Sequence, residues 1–175
     1  MPSDIYPLVS FIGTVELSIA PPELPPFAFD AIVEEQDTCL LFSPNPEIRE
    51  PCEDYKTLVF RMITQQPRLP GEVIVRKTCP ARFLAVVHDL EQAPACKEEW
   101  VAHALDHIFS EAGSHRISTL AMPVLGTCYG TLQYETFITL LLSTLSGKSS
   151  IYPEKIWLIV PAPVCNRIME LLVHH

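Results

Sequence analysis

The 175-residue sequence predicts a three-layer α/β/α domain built on a mixed, mostly parallel sheet of about six strands. Three observations carry that expectation. Through the second half of the chain, short apolar runs alternate with amphipathic stretches of helical length, the pattern of strand–helix–strand units around a parallel sheet. One apolar run, residues 117–125, empties into Gly126-Thr127-Cys128-Tyr129-Gly130 and then a helical stretch, so a buried strand turns tightly into a helix. A hydrophobic content of 48% with a mean hydropathy of +0.21 supplies one full core and argues against disorder. By length, residues 1–175 form a single domain.

The elements follow in order. Residues 8–19 alternate weakly around Gly13-Thr14 and read as one long or broken strand. Four prolines in residues 20–27 exclude helix and inner strand and give an extended connection. Residues 29–33 and 38–42 read as short strands separated by the polar run Glu34-Glu35-Gln36-Asp37. A helix over 54–65 places Leu58, Val59, Met62 and Ile63 on one face, and strands follow over 73–77 and 83–89. The helix over 96–112 turns Trp100, Ala104, Ile108 and Phe109 toward the core and stops at Gly113, a residue suited to a helix end. Strand 118–125 is expected at the centre of the sheet. A helix over 132–146, a strand over 155–161 and a helix over 163–173, with Pro163 in its first turn, complete the chain. No internal repeat is present.

Charge and composition narrow the function classes. The net charge of −9 and pI near 5.0 disfavour nucleic acid as a partner, because phosphate backbones are recruited by clustered Lys and Arg. A small anionic ligand remains compatible, since backbone N–H groups hold a phosphate without net positive charge. No apolar run is long enough to cross a bilayer, and residues 1–10 lack the basic and apolar regions of a signal peptide. A cytoplasmic protein without membrane attachment is expected. The six cysteines, Cys39, Cys52, Cys79, Cys96, Cys128 and Cys165, form no CxxC pair and are read as free thiols, with Cys39 in a strand.

The loop after residue 125 is the main candidate site. Gly126 and Gly130 allow close backbone approach, Thr127 offers a hydroxyl, and the amides of Cys128 and Tyr129 are candidates for phosphate oxygens. Tyr129 is placed to flank a ribose or base. Cys128 reads as a tolerated small residue rather than a nucleophile. His103 and His107 share a helix face, but HALDH lacks a general-base glutamate and a third ligand, so no metal is expected. No GxSxG, GxGxxG or P-loop motif occurs, and no cofactor is called for.

The segment 117–130 resembles the second ligand loop of macrodomains, in which a strand ending in small apolar residues and proline enters a glycine-Thr/Ser-glycine-aromatic-glycine loop. Upstream, Leu69-Pro70-Gly71-Glu72-Val73 resembles the family's proline-threonine-glycine-glutamate step. FLAVVHDLEQAP at 83–94 is similar to the following strand, with His88 at a histidine kept for structural reasons, and KIWLIVP at 155–161 is similar to the last buried strand. The resemblance spans residues 69–161. It implies an ADP-ribose or related nucleotide diphosphate ligand, free or on an ADP-ribosylated protein, with Leu125, Gly126, Thr127, Cys128, Tyr129 and Gly130 in contact.

The first ligand segment departs from the family. An early aspartate that reads adenine has its counterpart in Asp30. The family's strand-ending asparagine-alanine-alanine-asparagine finds Phe42 at its first position and Asn45 at its last. The glycine run expected next is replaced by Pro46-Glu47-Ile48-Arg49-Glu50-Pro51, which cannot cradle a diphosphate with glycine amides. Arg49 is read as pairing with a surface glutamate, the alternative being a bidentate phosphate contact in place of the missing glycines. In catalytic macrodomains an aspartate within the glycine run assists the asparagine; Asn45 is the candidate here, and Glu47, Glu50 or Asp54 would have to replace the aspartate. The expected function is ligand binding with little hydrolysis. The alternatives are an ADP-ribosyl hydrolase or an enzyme processing an ADP-ribose derivative, and an interaction module without a ligand.

Overall fold

The computed structural model describes residues 6–24, 28–41, 56, 60, 66–128 and 132–174. The chain begins with a hairpin. β1 (Leu8–Ile12) and β2 (Val15–Ala20) pair antiparallel, with Ile12 opposite Val15. Gly13 turns the chain at φ +58, a backbone state that glycine adopts without steric cost. Of the long or broken strand expected over 8–19, the structure has the broken form, two strands on either side of Gly13-Thr14.

β3 (Ala31–Asp37) is one continuous strand, and it revises the reading of residues 29–42. Glu34, Glu35, Gln36 and Asp37 do not separate two strands. They are the buried second half of one. Thr38, Cys39 and Leu40 form a turn, so Cys39 is not in a strand. Alternating hydrophobicity misses this element because its buried carboxylates are matched by partners rather than replaced by apolar groups. The helix expected over 54–65 lies mostly outside the described residues; Lys56 and Phe60 within it are helical.

β4 (Val73–Arg76) and β5 (Ala81–His88) form a second antiparallel pair. Helix α1 (Glu98–Ser114), strand β6 (Thr119–Pro123), helix α2 (Tyr134–Gly147), strand β7 (Lys155–Ile159) and helix α3 (Ala162–Val173) follow. The sheet has seven strands, not about six, in the order β1-β2-β7-β6-β3-β5-β4. The five inner strands are parallel, and β1 and β4 close the edges antiparallel. β6 lies in the middle, with Leu120, Ala121 and Met122 fully buried, as the sequence predicts.

The helices touch one another in the order α1–α2–α3, with α1 against β4 and β5 and α3 against β1 and β2. The three-layer α/β fold seals a core of Leu17, Ile19, Val33, Phe83, Met122 and Leu158 with Val101, Leu105, Phe137, Leu141 and Ile168.

α1 does not stop at Gly113. It runs to Ser114, and the lack of a side chain at Gly113 serves packing: a Cβ there would lie 2.9 Å from Ser150 Oγ. The helix ends in a Schellman arrangement, with Ile117 N–H donating to Ala112 C=O at 2.9 Å and Arg116 N–H to Gly113 C=O at 3.2 Å. Arg116 occupies the left-handed position at φ +54, where glycine is the unstrained residue. Arg116→Gly is therefore expected to raise stability by about 1 kcal/mol, read as an upward shift of the urea midpoint at constant slope.

Candidate functional site

The sheet order makes a crevice between β3 and β6. These strands are neighbours, yet the chain leaves β3 toward β4 and β5 on one side and leaves β6 through α2 toward β7 on the other. Connections that diverge from adjacent parallel strands leave a gap at their carboxyl ends, where open α/β sheets bind ligands. The turn after β3 and the Gly126 loop after β6 border that gap.

β3 places Glu35 at its floor. Gly126 N–H donates to Glu35 Oε1 at 2.7 Å, and Glu35 Oε2 lies 2.9 Å from His88 Nε2. Glu35 is nearly buried and His88 fully so. The ring reaches Glu35 because the β3–β5 register slips between Gln36 and Asp37, so that Asp37 pairs with His88. A bulge of this kind re-aims a side chain beside a site. The strand end is closed by Asp37, whose Oδ1 accepts Cys39 N–H at 2.6 Å and whose Oδ2 accepts Leu41 N–H at 3.0 Å. These bonds hold Leu40 at φ +56. The turn is tied to its surroundings by Thr38 N–H to His88 C=O (2.9 Å) and by Arg68 N–H to Thr38 C=O (2.7 Å).

Glu34 points away from this network and forms a bidentate pair with Arg82, at 2.9 Å from Nε and 2.7 Å from Nη2.

The Gly126 loop is folded on itself. Thr127 Oγ1 donates to Val124 C=O at 2.7 Å, and Leu132 N–H donates to Gly126 C=O at 3.2 Å. α2 starts at Tyr134, two residues later than predicted. Cys128 N–H makes no hydrogen bond among the described residues. Burial first, and then the charge of Glu35, push the Cys96 thiol up to about 11; the same two causes raise the Cys128 thiol, against a hydrogen bond at Thr127.

By sequence the chain matches no family model and no curated protein. Its architecture is shared with solved structures. A variant of the Oceanobacillus iheyensis macrodomain solved with ADPR superposes with a TM-score of 0.73 at 15% identity, over 95% of this chain and 97% of that one. The macro domain of ganglioside induced differentiation associated protein 2 gives 0.64 at 14% identity, over 97% and 90%. The macrodomain of Thermus aquaticus DarG gives 0.59 at 16%, over 83% and 98%. The chain has the macrodomain fold.

Within that fold, the predicted residues are distributed unevenly. Gly126, Thr127 and Cys128 border the crevice, whereas the Leu125 side chain is fully buried in the core. Tyr129, Gly130, Asn45 and the segment 46–51 lie outside the described residues. β3 ends at Asp37, ahead of the strand end at which the resemblance puts Asn45. Asp30 sits at the opposite end of β3, roughly 20 Å away along a seven-residue strand. There its Oδ2 accepts the amides of Ser118 (3.0 Å) and Thr119 (2.8 Å), bracing the start of β6. His103 and His107 are exposed on α1, and among the described residues no group of three His, Cys, Asp or Glu side chains is placed to hold a metal. No described helix is long and apolar enough to cross a membrane. The described cysteines, Cys39, Cys79, Cys96, Cys128 and Cys165, are free, and Cys52 lies outside the described residues.

Sequence reasoning missed Glu35 and Asp37. The available signal was a run of four polar residues directly after Ala31-Ile32-Val33, which reads as a loop unless each carboxylate is given a partner.

Two expectations follow. A Cβ at Gly126 would lie 2.9 Å from Cys96 Sγ and 3.2 Å from Leu132 Cβ, at φ +79. Gly126→Val is expected to destabilise the protein by about 2–4 kcal/mol in urea unfolding, through strain and overpacking rather than through a clash with a ligand. The raised thiol at Cys128 should alkylate slowly at pH 7.5 relative to exposed Cys79, and Glu35→Gln should speed it severalfold, read by mass spectrometry of the two peptides.

Proposed function

We propose that the crevice between β3 and β6 binds a nucleotide of the ADP-ribose class, free or carried on a protein, without turning it over. The observation that carries this reading is the Gly126 loop at the carboxyl end of the central strand, bordering the gap where the sheet connections diverge. Structures of this fold solved with ADPR and with ADP support it. The acidic charge of the chain and of the crevice favours a small ligand over nucleic acid.

Binding is favoured over hydrolysis because the carboxylates described in the crevice are committed to structure. Glu35 holds Gly126 and His88, and Asp37 holds two turn amides. A general base needs hydrogen-bond reach to an attacking water. The same commitment favours the second reading, an interaction module without a ligand, because amides of both loops are already satisfied.

Calorimetry with ADP-ribose, ADP, AMP, NAD and phosphate decides between the two. ADP-ribose and ADP are expected to bind in the micromolar range, about −8 kcal/mol, with phosphate alone far weaker. Absence of heat with all five at millimolar ligand would leave the second reading. Purified protein mixed with an ADP-ribosylated substrate is expected to release no ADP-ribose; robust release would restore the enzyme reading.

A further inference from the structure

β3 delivers two buried carboxylates to the crevice, and each is bonded to main-chain amides of a bordering loop. Glu35 takes the Gly126 amide at 2.7 Å, and Asp37 takes the Cys39 and Leu41 amides at 2.6 and 3.0 Å. Convergent main-chain N–H groups at the end of a strand are what a protein offers to a phosphate. Here the same donors are directed at the protein's own negative charges.

We propose that Glu35 and Asp37 are built-in anions of the crevice: they occupy amides that a ligand's anionic group would otherwise take, and they thereby set the affinity and placement of that group. The inference rests on the nucleotide reading of the crevice and deepens it. Glu35 is a positioning residue, acting through Gly126. It is held from behind by His88, fully buried and turned onto it by the register slip in β5. The titratable groups that face Glu35 from the other elements are His88 on β5, behind it at 2.9 Å, and the thiols of Cys96 and Cys128, which bring no positive charge. A diphosphate approaching Gly126 therefore meets a carboxylate without a cation in front of it. At short range in a partly desolvated cleft, that repulsion weakens binding by about tenfold or more. A ligand's phosphate is directed to donors further along the loop, of which Cys128 N–H is the first described. Uncharged parts of a nucleotide are unaffected by this term.

Glu35→Gln tests the idea because it removes the charge and keeps the shape. The amide oxygen accepts Gly126 N–H, and the amide nitrogen donates to His88 Nε2 with the direction of that bond reversed. ADP and adenosine are titrated by calorimetry into the native chain and into Glu35→Gln, while the exchange rate of the Gly126 amide is followed by NMR. The expected result is ADP binding about tenfold tighter in Glu35→Gln, adenosine unchanged, and a Gly126 amide protected in both proteins. A purely structural role would weaken both ligands or neither. ADP affinity that is unchanged or lower in folded Glu35→Gln, or an unprotected Gly126 amide in the native chain, overturns the proposal.

Asp37→Asn removes the charge at the other loop while its single carbonyl oxygen keeps one of the two turn amides, and a gain for ADP is again expected if Glu35→Gln does not fold. Should the native chain bind no nucleotide while Glu35→Gln binds ADP, the built-in anion stands and the nucleotide reading of the native crevice falls. Should neither bind, the proposal falls.

Discussion

The carboxylate of Glu35 is the constraint around which the centre of this molecule is arranged. A charge at that depth is tolerated only with hydrogen-bond partners on both oxygens. One partner is His88 on β5, and the other is the Gly126 amide after β6. Three strands that neighbour one another in the sheet are thus joined by side-chain chemistry as well as by their ladders. The register slip in β5 follows, because without it the His88 ring would face the other side of β3. The glycine follows too. Residue 126 must turn at φ +79 with Cys96 and Leu132 packed where a side chain would sit, so that its amide points down at Glu35.

Asp37 repeats the arrangement one pleat further along. Its two oxygens organise the turn that leaves β3. The two loops that border the crevice are therefore shaped from below by the same strand. On the opposite face of that strand, Glu34 is neutralised by Arg82 in a forked pair. β3 carries three carboxylates in four residues, and each is matched by a different kind of partner: a guanidinium, an imidazole with an amide, and two turn amides. Exchanging any of these carboxylates for an apolar residue of similar size would leave its partner unsatisfied, which costs more than an average hydrogen bond contributes.

A fold shared with proteins solved with ADPR or ADP does not carry their chemistry with it. In this chain the floor of the crevice is acidic, with Glu35 holding the Gly126 amide and Asp37 the amides of Cys39 and Leu41. A neutral floor leaves loop amides open to an anion, whereas an acidic floor occupies them and repels like charge.

Local pattern was enough to read most of the architecture. The 3.6-residue spacing of Trp100, Ala104 and Ile108, the apolar run of the central strand, the glycine loop behind it and the closing strand and helix all depend on residues near one another in sequence. Three features escaped that reading, each for a long-range reason. The continuity of β3 through Glu34-Glu35-Gln36-Asp37 depends on Arg82, His88 and Gly126, which stand 48, 53 and 91 residues away. The role of Asp30 as a brace for Ser118 and Thr119 depends on the pairing of β3 with β6. The place of Gly113 inside α1, which runs to Ser114, is tied to Ser150 packing against the glycine. By itself the sequence determined which segments are strands and helices wherever burial follows hydrophobicity. Only the tertiary structure decided where charges are buried, because a carboxylate's place in a core is settled by partners that the fold, not the neighbouring sequence, brings to it.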